Sequence, residues 1–402
     1  MSTPVVVSTP SARRALTALP PLSLYVHLPW CVRKCPYCDF NSHEARNAIP
    51  EQEYVEALVA DLEAALPSVW GRRVSSIFFG GGTPSLFAAA SIDALLSAIR
   101  ARVTLDPDTE ITLEANPGTF EAEKFRGFRA AGVNRLSIGI QSFNDRHLAA
   151  LGRIHDAREA HRAIEIAQQH FDNFNLDVMY ALPQQTPAEA EADVSAALAT
   201  GAPHLSCYHL TLEPNTVFYK YPPRLPDDDA AAAIHDLVGA RLVGAGYAHY
   251  ETSAYARAGH ACRHNLNYWR FGDYLGIGAG AHSKISFADR IVRESRVRAP
   301  ADYMRRVREQ THLAETRELS NAELPFEFML NLLRLAEGFE VTLFSERTGL
   351  PINAAEPALA AAEAKGLIAR DHRRIVPTER GRRFLNDLQL LFLPEERGTR
   401  TA

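Results

Sequence analysis

Three cysteines, Cys31, Cys35 and Cys38, stand in the stretch Tyr25-Val-His-Leu-Pro-Trp-Cys-Val-Arg-Lys-Cys-Pro-Tyr-Cys-Asp-Phe-Asn-Ser42. Thiolates are soft ligands that favour iron–sulfur clusters or zinc. A cubane [4Fe–4S] cluster has four irons, usually held by four thiolates. Three cysteines would leave one iron open to bind something else. The bland alternative is a structural zinc site. Zinc usually asks for a fourth protein ligand, which His27 or His43 could supply. A disulfide is disfavoured, because three is an odd number and nothing in the chain suggests export. Cys207 and Cys262 lie far from the trio and from each other, and read as inert.

Other residues with chemical potential follow at intervals. Gly80-Gly-Gly-Thr-Pro-Ser85 comes directly after an apolar run, and glycines allow close backbone approach and positive φ. Glu114-Ala-Asn-Pro-Gly118 ends the next apolar run. A carboxylate at a buried strand end needs a partner, so Glu114 either accepts hydrogen bonds from a ligand or joins a local salt bridge. Gln141 closes Ser137-Ile-Gly-Ile-Gln, Arg153 stands in Leu151-Gly-Arg-Ile-His155, and Asp177 lies inside a hydrophobic run. Together these three could form a polar cluster above a sheet; singly, each is an ordinary structural polar residue.

The elements that would position these groups alternate. Strand candidates are Leu24–Leu28, Ser76–Phe79, Ile111–Ala115, Leu136–Ile140, Leu176–Tyr180 and Leu205–Leu210. Between them, Glu51–Leu66, Ser91–Arg102, Glu121–Ala131, Asp156–Gln169 and Pro187–Thr200 carry apolar residues at helical spacing. Strand and helix repeated in this way imply parallel βα units. Six units are fewer than the eight of a closed TIM barrel, so a partial (β/α)6 barrel is expected, with an α/β extension over Asp227–Ile285. After about residue 300 the pattern turns mostly helical. Helices over Asn321–Leu335, Leu343–Thr348 and Ala354–Lys365, a hairpin at Leu367–Thr378 and a helix at Glu379–Leu391 make a winged-helix-like domain. The wing's basic turn is short and the helix before it carries Glu356 and Glu363. Packing or a lid is therefore preferred over DNA binding. The expected division is a leader over residues 1–21, the barrel and its extension over 22–300, the C-terminal domain over 301–395 and a tail over 396–402.

Of the 402 residues, 46% are hydrophobic and 23% charged, with a formal net charge of −5. So mild a charge gives no support for broad nucleic-acid or membrane binding. No long apolar signal core follows Arg13-Arg14, and no apolar run is long enough to span a bilayer. A cytoplasmic protein with reduced thiols is expected.

Taken together, the cysteine block, GGGTPS, EANP, SIGIQSFND, LGRIH and LDVMYALP resemble the HemN/HemW branch of the radical S-adenosylmethionine (radical SAM) proteins. The close likeness runs from Tyr25 to Pro183 and continues more loosely to the C-terminus. The resemblance implies a [4Fe–4S] cluster on Cys31, Cys35 and Cys38. Its open iron would chelate S-adenosylmethionine, whose sulfonium accepts an electron to give a 5′-deoxyadenosyl radical. It implies that Tyr25, Gly81 and Glu114 contact this nucleotide. Tyr37, Gly82, Thr83, Gln141, Arg153 and Asp177 fall where the branch's oxidases contact a second molecule of it.

One departure separates the two subfamilies of the branch. The oxygen-independent coproporphyrinogen III oxidases carry a further cysteine two residues after the last cluster ligand; here that residue is Phe40. Phe40 is similar to the heme-chaperone pattern. So is His264-Asn265-x-x-Tyr268-Trp269, which matches the HNxxYW pattern associated with heme binding there. The resemblance thus implies a heme chaperone without coproporphyrinogen III dehydrogenase activity, with His264 as a heme ligand. On the bland reading, His264 is a hydrogen-bonded loop residue among core aromatics. Implied partners are heme, heme-accepting apoproteins and a reductant. Peripheral association with membrane-bound acceptors and a homodimer are compatible with it. The alternative is the oxidase itself, which would abstract hydrogen from two propionate side chains.

Overall fold

The computed structural model describes residues 15–117 and 121–394. Most of the leader, Gly118 and the tail lie outside the described residues. The described residues divide into two compact units: one holds Pro21–Ser283 with Glu294–Thr316, the other residues 15–20, Lys284–Arg293 and residues 317–394.

In the larger unit six parallel strands run in chain order across the sheet: Leu22–Leu28, Arg73–Gly81, Thr104–Ala115, Arg135–Gln141, Phe174–Tyr180 and His204–His209. Each is separated from the next by one or more helices: Glu51–Val69, Ala89–Arg102, Glu121–Ala131, Ala157–His170 and Pro187–Ala199 are the main ones. A seventh strand, Asp273–Ile277, is parallel to the first on its open side. At the other end Ala254–Ala256 and Ala248–Glu251 add antiparallel pairs. The fold is therefore the expected α/β partial barrel. Helix starts obey capping chemistry: Asp156 and Thr186 each form a reciprocal box with a glutamate three residues on.

Successive strand residues point to opposite faces. In the first strand Leu24, Val26 and Leu28 form one buried row and Ser23, Tyr25 and His27 the other. The apolar row is covered by the helices. The polar row faces the same side as Ser76, Glu114, Ser137 and Asp177 from the neighbouring strands, so the inner face of the barrel is largely polar.

A short helix, Arg263–Trp269, lies across that inner face. Asn267 donates to Ser23 Oγ at 2.9 Å, and His264 Nδ1 lies 3.1 Å from Ser76 Oγ. The Glu110 carboxylate accepts from the Arg263 and His264 amides at 3.2 and 3.1 Å, which satisfies donors a helix start would leave open.

The smaller unit holds helices Leu324–Leu332, Val341–Thr348 and Glu356–Ala364 and a three-stranded sheet in the order Phe339–Glu340, Arg374–Pro377, Ile368–Arg370, the first of these strands lying between the first two helices in the chain. Phe328 packs edge-on against Phe339 and Phe344. The first and third helices are shorter than their apolar periodicity suggests. Pro325 and Pro357 stand at their second positions, in the first turn, where proline fits a helix start and resists continuation backward. Arg370, at the hairpin, is paired with Glu356 and Glu363 at 2.8 and 2.9 Å; part of the wing's positive charge is thus neutralised within the unit.

Candidate metal-cluster site

The cysteine loop leaves the first barrel strand at its C-terminal end, where barrel sites are built. Trp30–Cys31 pairs in parallel with His43–Glu44, closing the loop on itself. Between them the Cys38 amide donates to the Cys35 carbonyl at 3.1 Å. All three cysteines are free and half-buried. Burial pushes the Cys31 and Cys38 thiols up, opposed by hydrogen bonds from Thr83 and Ser42 at Cys31 and from the Phe40 backbone and Ser42 at Cys38.

Two of the sulfurs are joined through side chains. Thr83 Oγ1 donates to Cys31 Sγ at 3.5 Å, and Asn116 Nδ2 donates to Thr83 Oγ1 at 2.9 Å. Arg153 donates from Nη2 to Asn116 Oδ1 at 2.6 Å and to the Gly139 carbonyl at 2.8 Å, and from Nη1 to Cys35 Sγ at 3.6 Å. Arg153 Nε is a buried donor without a hydrogen-bond partner among the described residues. Gln141 closes its strand at φ 68° over a break in register, a backbone state of the kind that persists where the surroundings over-determine it. A Cβ on Gly139 would sit 2.6 Å from Asn116 Oδ1, so glycine is required beneath the network.

Tyr25, Gly81 and Glu114 meet on the other side of the loop. Glu114 Oε2 accepts from the Gly81 amide at 3.2 Å. Gly81 has φ +113°, and a Cβ there would run into the His27 ring. Burial, and secondly the nearby Asp177 carboxylate, push the Glu114 pKa up to about 8 against the pull of the Gly81 amide. The Tyr25 hydroxyl lies 3.0 Å from His27 Nδ1. These three residues line a cavity of about 570 Å³ with Phe40, Tyr268, Tyr274 and His282. Gly82 has a packing reason as well: its Cβ would sit 2.5 Å from the Trp30 carbonyl oxygen. Tyr37 is packed beside Phe218, and burial raises its hydroxyl pKa. Asp177 accepts from Ser137 at 3.0 Å and Asn175 at 2.9 Å; burial nevertheless raises its pKa.

The zinc reading finds little here. His27 has both ring nitrogens engaged, by Tyr25 and by the Asn41 carbonyl at 2.9 Å. His43 Nε2 is buried without a partner. Yet among the described residues no three His, Cys, Asp or Glu side chains are grouped to hold a single ion. A [4Fe–4S] cluster would instead take the three thiolates as its ligands. The free thiols, the unpartnered Arg153 Nε and the Cβ-free strip at Gly81 and Gly82 fit such a group.

His264 is 3% exposed. Its ring stacks on Phe78 at 5.0 Å and leans on Tyr268 at 5.1 Å. Burial, aided by Arg135, lowers its pKa to about 3, so the imidazole is neutral. Asn116, Asn41 and Lys124 were not singled out from the sequence. Asn41 Nδ2 donates to the Ala279 and Arg298 carbonyls, each at 2.9 Å. Lys124 holds the Ser85 and Leu86 carbonyls at 2.8 and 3.1 Å. The only sequence signal for Asn116 was its place beside Glu114 in EANP.

Comparison with known proteins agrees with this geometry. Residues 25–197 match the radical SAM superfamily and residues 319–384 the HemN C-terminal domain. A Haemophilus influenzae protein described as heme chaperone HemW is 49% identical over 94% of this chain and 99% of its own length. The chain belongs to the HemW family. The Escherichia coli HemW is 48% identical over 94% of this chain and its whole length, and the Bacillus subtilis one 33% identical over 93% and 99%. Among solved structures, coproporphyrinogen III oxidase HemN from Escherichia coli superimposes with a TM-score of 0.79. It is 24% identical, over 93% of this chain and 90% of that one, a likeness of fold. Among the described residues no helix is long and apolar enough to cross a membrane.

Proposed function

We propose that the chain is a cytoplasmic heme chaperone, which binds heme and delivers it to apoproteins such as respiratory cytochromes. The observation that carries this reading is full-length likeness to relatives described as heme chaperones, together with Phe40 where the oxidases carry a further cysteine. Cys31, Cys35 and Cys38 would hold a [4Fe–4S] cluster with one open iron. Bound there, the cluster and S-adenosylmethionine would supply one-electron chemistry at the sulfonium.

The chain's own residues have distinct parts in this reading. Glu114 and Tyr25 orient the nucleotide from the cavity wall, and Gly81 and Gly82 keep the strip beside it clear. Tyr37, Gln141, Arg153, Thr83 and Asp177 complete the polar mouth. His264 is the heme ligand, in the neutral form that metal binding needs. Because its ring is packed under Tyr25 and Phe78, ligation requires Arg263–Trp269 to leave the inner face. A reductant for the cluster and a homodimer belong to the same proposal.

The test is an anaerobic heme titration of the cluster-loaded protein, followed by transfer to an apo-cytochrome with and without S-adenosylmethionine. Saturable binding and transfer are expected; no saturable binding would overturn the reading. Formation of protoporphyrinogen from coproporphyrinogen III, with reductant and S-adenosylmethionine, would replace it with the oxidase.

A further inference from the structure

Thr83 and Arg153 stand where the oxidases of the branch contact a second S-adenosylmethionine, yet here both reach cysteine sulfurs. Asn116 lies between them. A guanidinium has donors only, so the Asn116 amide oxygen must face Arg153 (2.6 Å) and its NH2 group must face Thr83 (2.9 Å). The Thr83 oxygen is thereby occupied as an acceptor. Its single proton is left for Cys31 Sγ, 3.5 Å away. The same amide oxygen and the Gly139 carbonyl fix Arg153 Nη2, which holds Nη1 on Cys35 Sγ at 3.6 Å.

From this directional chain we infer that Asn116 is a positioning residue for the cluster. It aims one hydroxyl and one guanidinium donor at two of the three ligand sulfurs and so sets the cluster's reduction potential. The inference rests on the proposed [4Fe–4S] cluster. Hydrogen bonds to cluster sulfurs stabilise the more negative, reduced state and raise the potential. Asn116→Ala leaves the Thr83 hydroxyl free to rotate away and loosens Arg153. Asn116→Asp reverses the chain: the carboxylate accepts from both neighbours and draws the Thr83 proton off Cys31.

The experiment is an EPR-monitored redox titration of the anaerobically reconstituted full chain, with iron and sulfide counted for each variant. Expected are full cluster content and a potential that falls from wild type to N116A, and further in N116D. Thr83→Val should also lower it, and Thr83→Ser should restore it. N116A and T83V potentials equal to wild type, with the cluster intact, would overturn the inference. If N116A fails to hold a cluster, the T83V and T83S pair decides in the same way. A wild-type chain that takes up no iron and sulfide refutes the cluster itself, a result distinct from an unmoved potential.

Discussion

Glu114 offers a prediction whose sign is set by its surroundings. Its carboxyl is pushed from 4.5 to about 8, so between these values the folded chain holds a proton that the unfolded chain releases. Stability of the cluster-free chain then falls as pH rises through this window. Each unit corresponds to about 1.4 kcal/mol, giving a ceiling of about 5 kcal/mol above pH 8. Half-burial beside the cavity lets water reach the group, so about 2 kcal/mol is the working expectation at pH 8. Glu114→Gln cannot ionise and escapes the loss. Urea unfolding of wild type and E114Q at pH 5.5 and pH 8 should show the variant gaining stability relative to wild type as pH rises. S-adenosylmethionine binding by the variant should weaken relative to wild type at pH 8 and above, where the wild-type carboxylate is ionised and Gln carries no charge. A relative stability that stays flat, or falls, would refute the burial argument.

Asp61 and Arg296 are 0% and 1% exposed and lie 3.4 Å apart, with Tyr303 and His312 at 2.8 and 3.0 Å from the same carboxylate. Asp61→Ala leaves the buried Arg296 guanidinium with only the Glu294 carboxylate, 3.3 Å away, and should cost about 3 kcal/mol, the low end for breaking a buried pair, read as a thermal shift; D61L/R296M should lose less than the single change. Ser76→Ala removes the hydroxyl that anchors His264, and should speed heme uptake in stopped-flow absorbance, whereas His264→Ala should abolish the axial-ligand signature of bound heme.

The barrel was readable in the sequence because its strands are buried on both faces and its helices are amphipathic, so the two periods alternate cleanly between Leu24 and Leu210. Most ends moved by a residue or a few, but the strand expected from Ile111 begins seven residues earlier, at Thr104, because it continues as extended backbone before its apolar stretch. Arg263–Trp269 was not readable as a helix: seven residues span too few turns for a periodic pattern, and its partners Ser23 and Ser76 lie about two hundred residues away. The cysteines and Glu114 were legible because their residue types are costly to bury without a reason. Asn116 was not, because an asparagine before proline reads as a turn former. Its role appears only once Thr83 and Arg153, 33 and 37 residues distant, are folded against it.

The most direct measurement is the EPR spectrum of the reduced, anaerobically reconstituted protein before and after adding S-adenosylmethionine. Four irons and four sulfides per chain are expected for a cubane, with a signal that changes as the nucleotide takes the open iron. Zinc in place of iron, or a cluster signal indifferent to the nucleotide, would contradict a cluster held by Cys31, Cys35 and Cys38 alone.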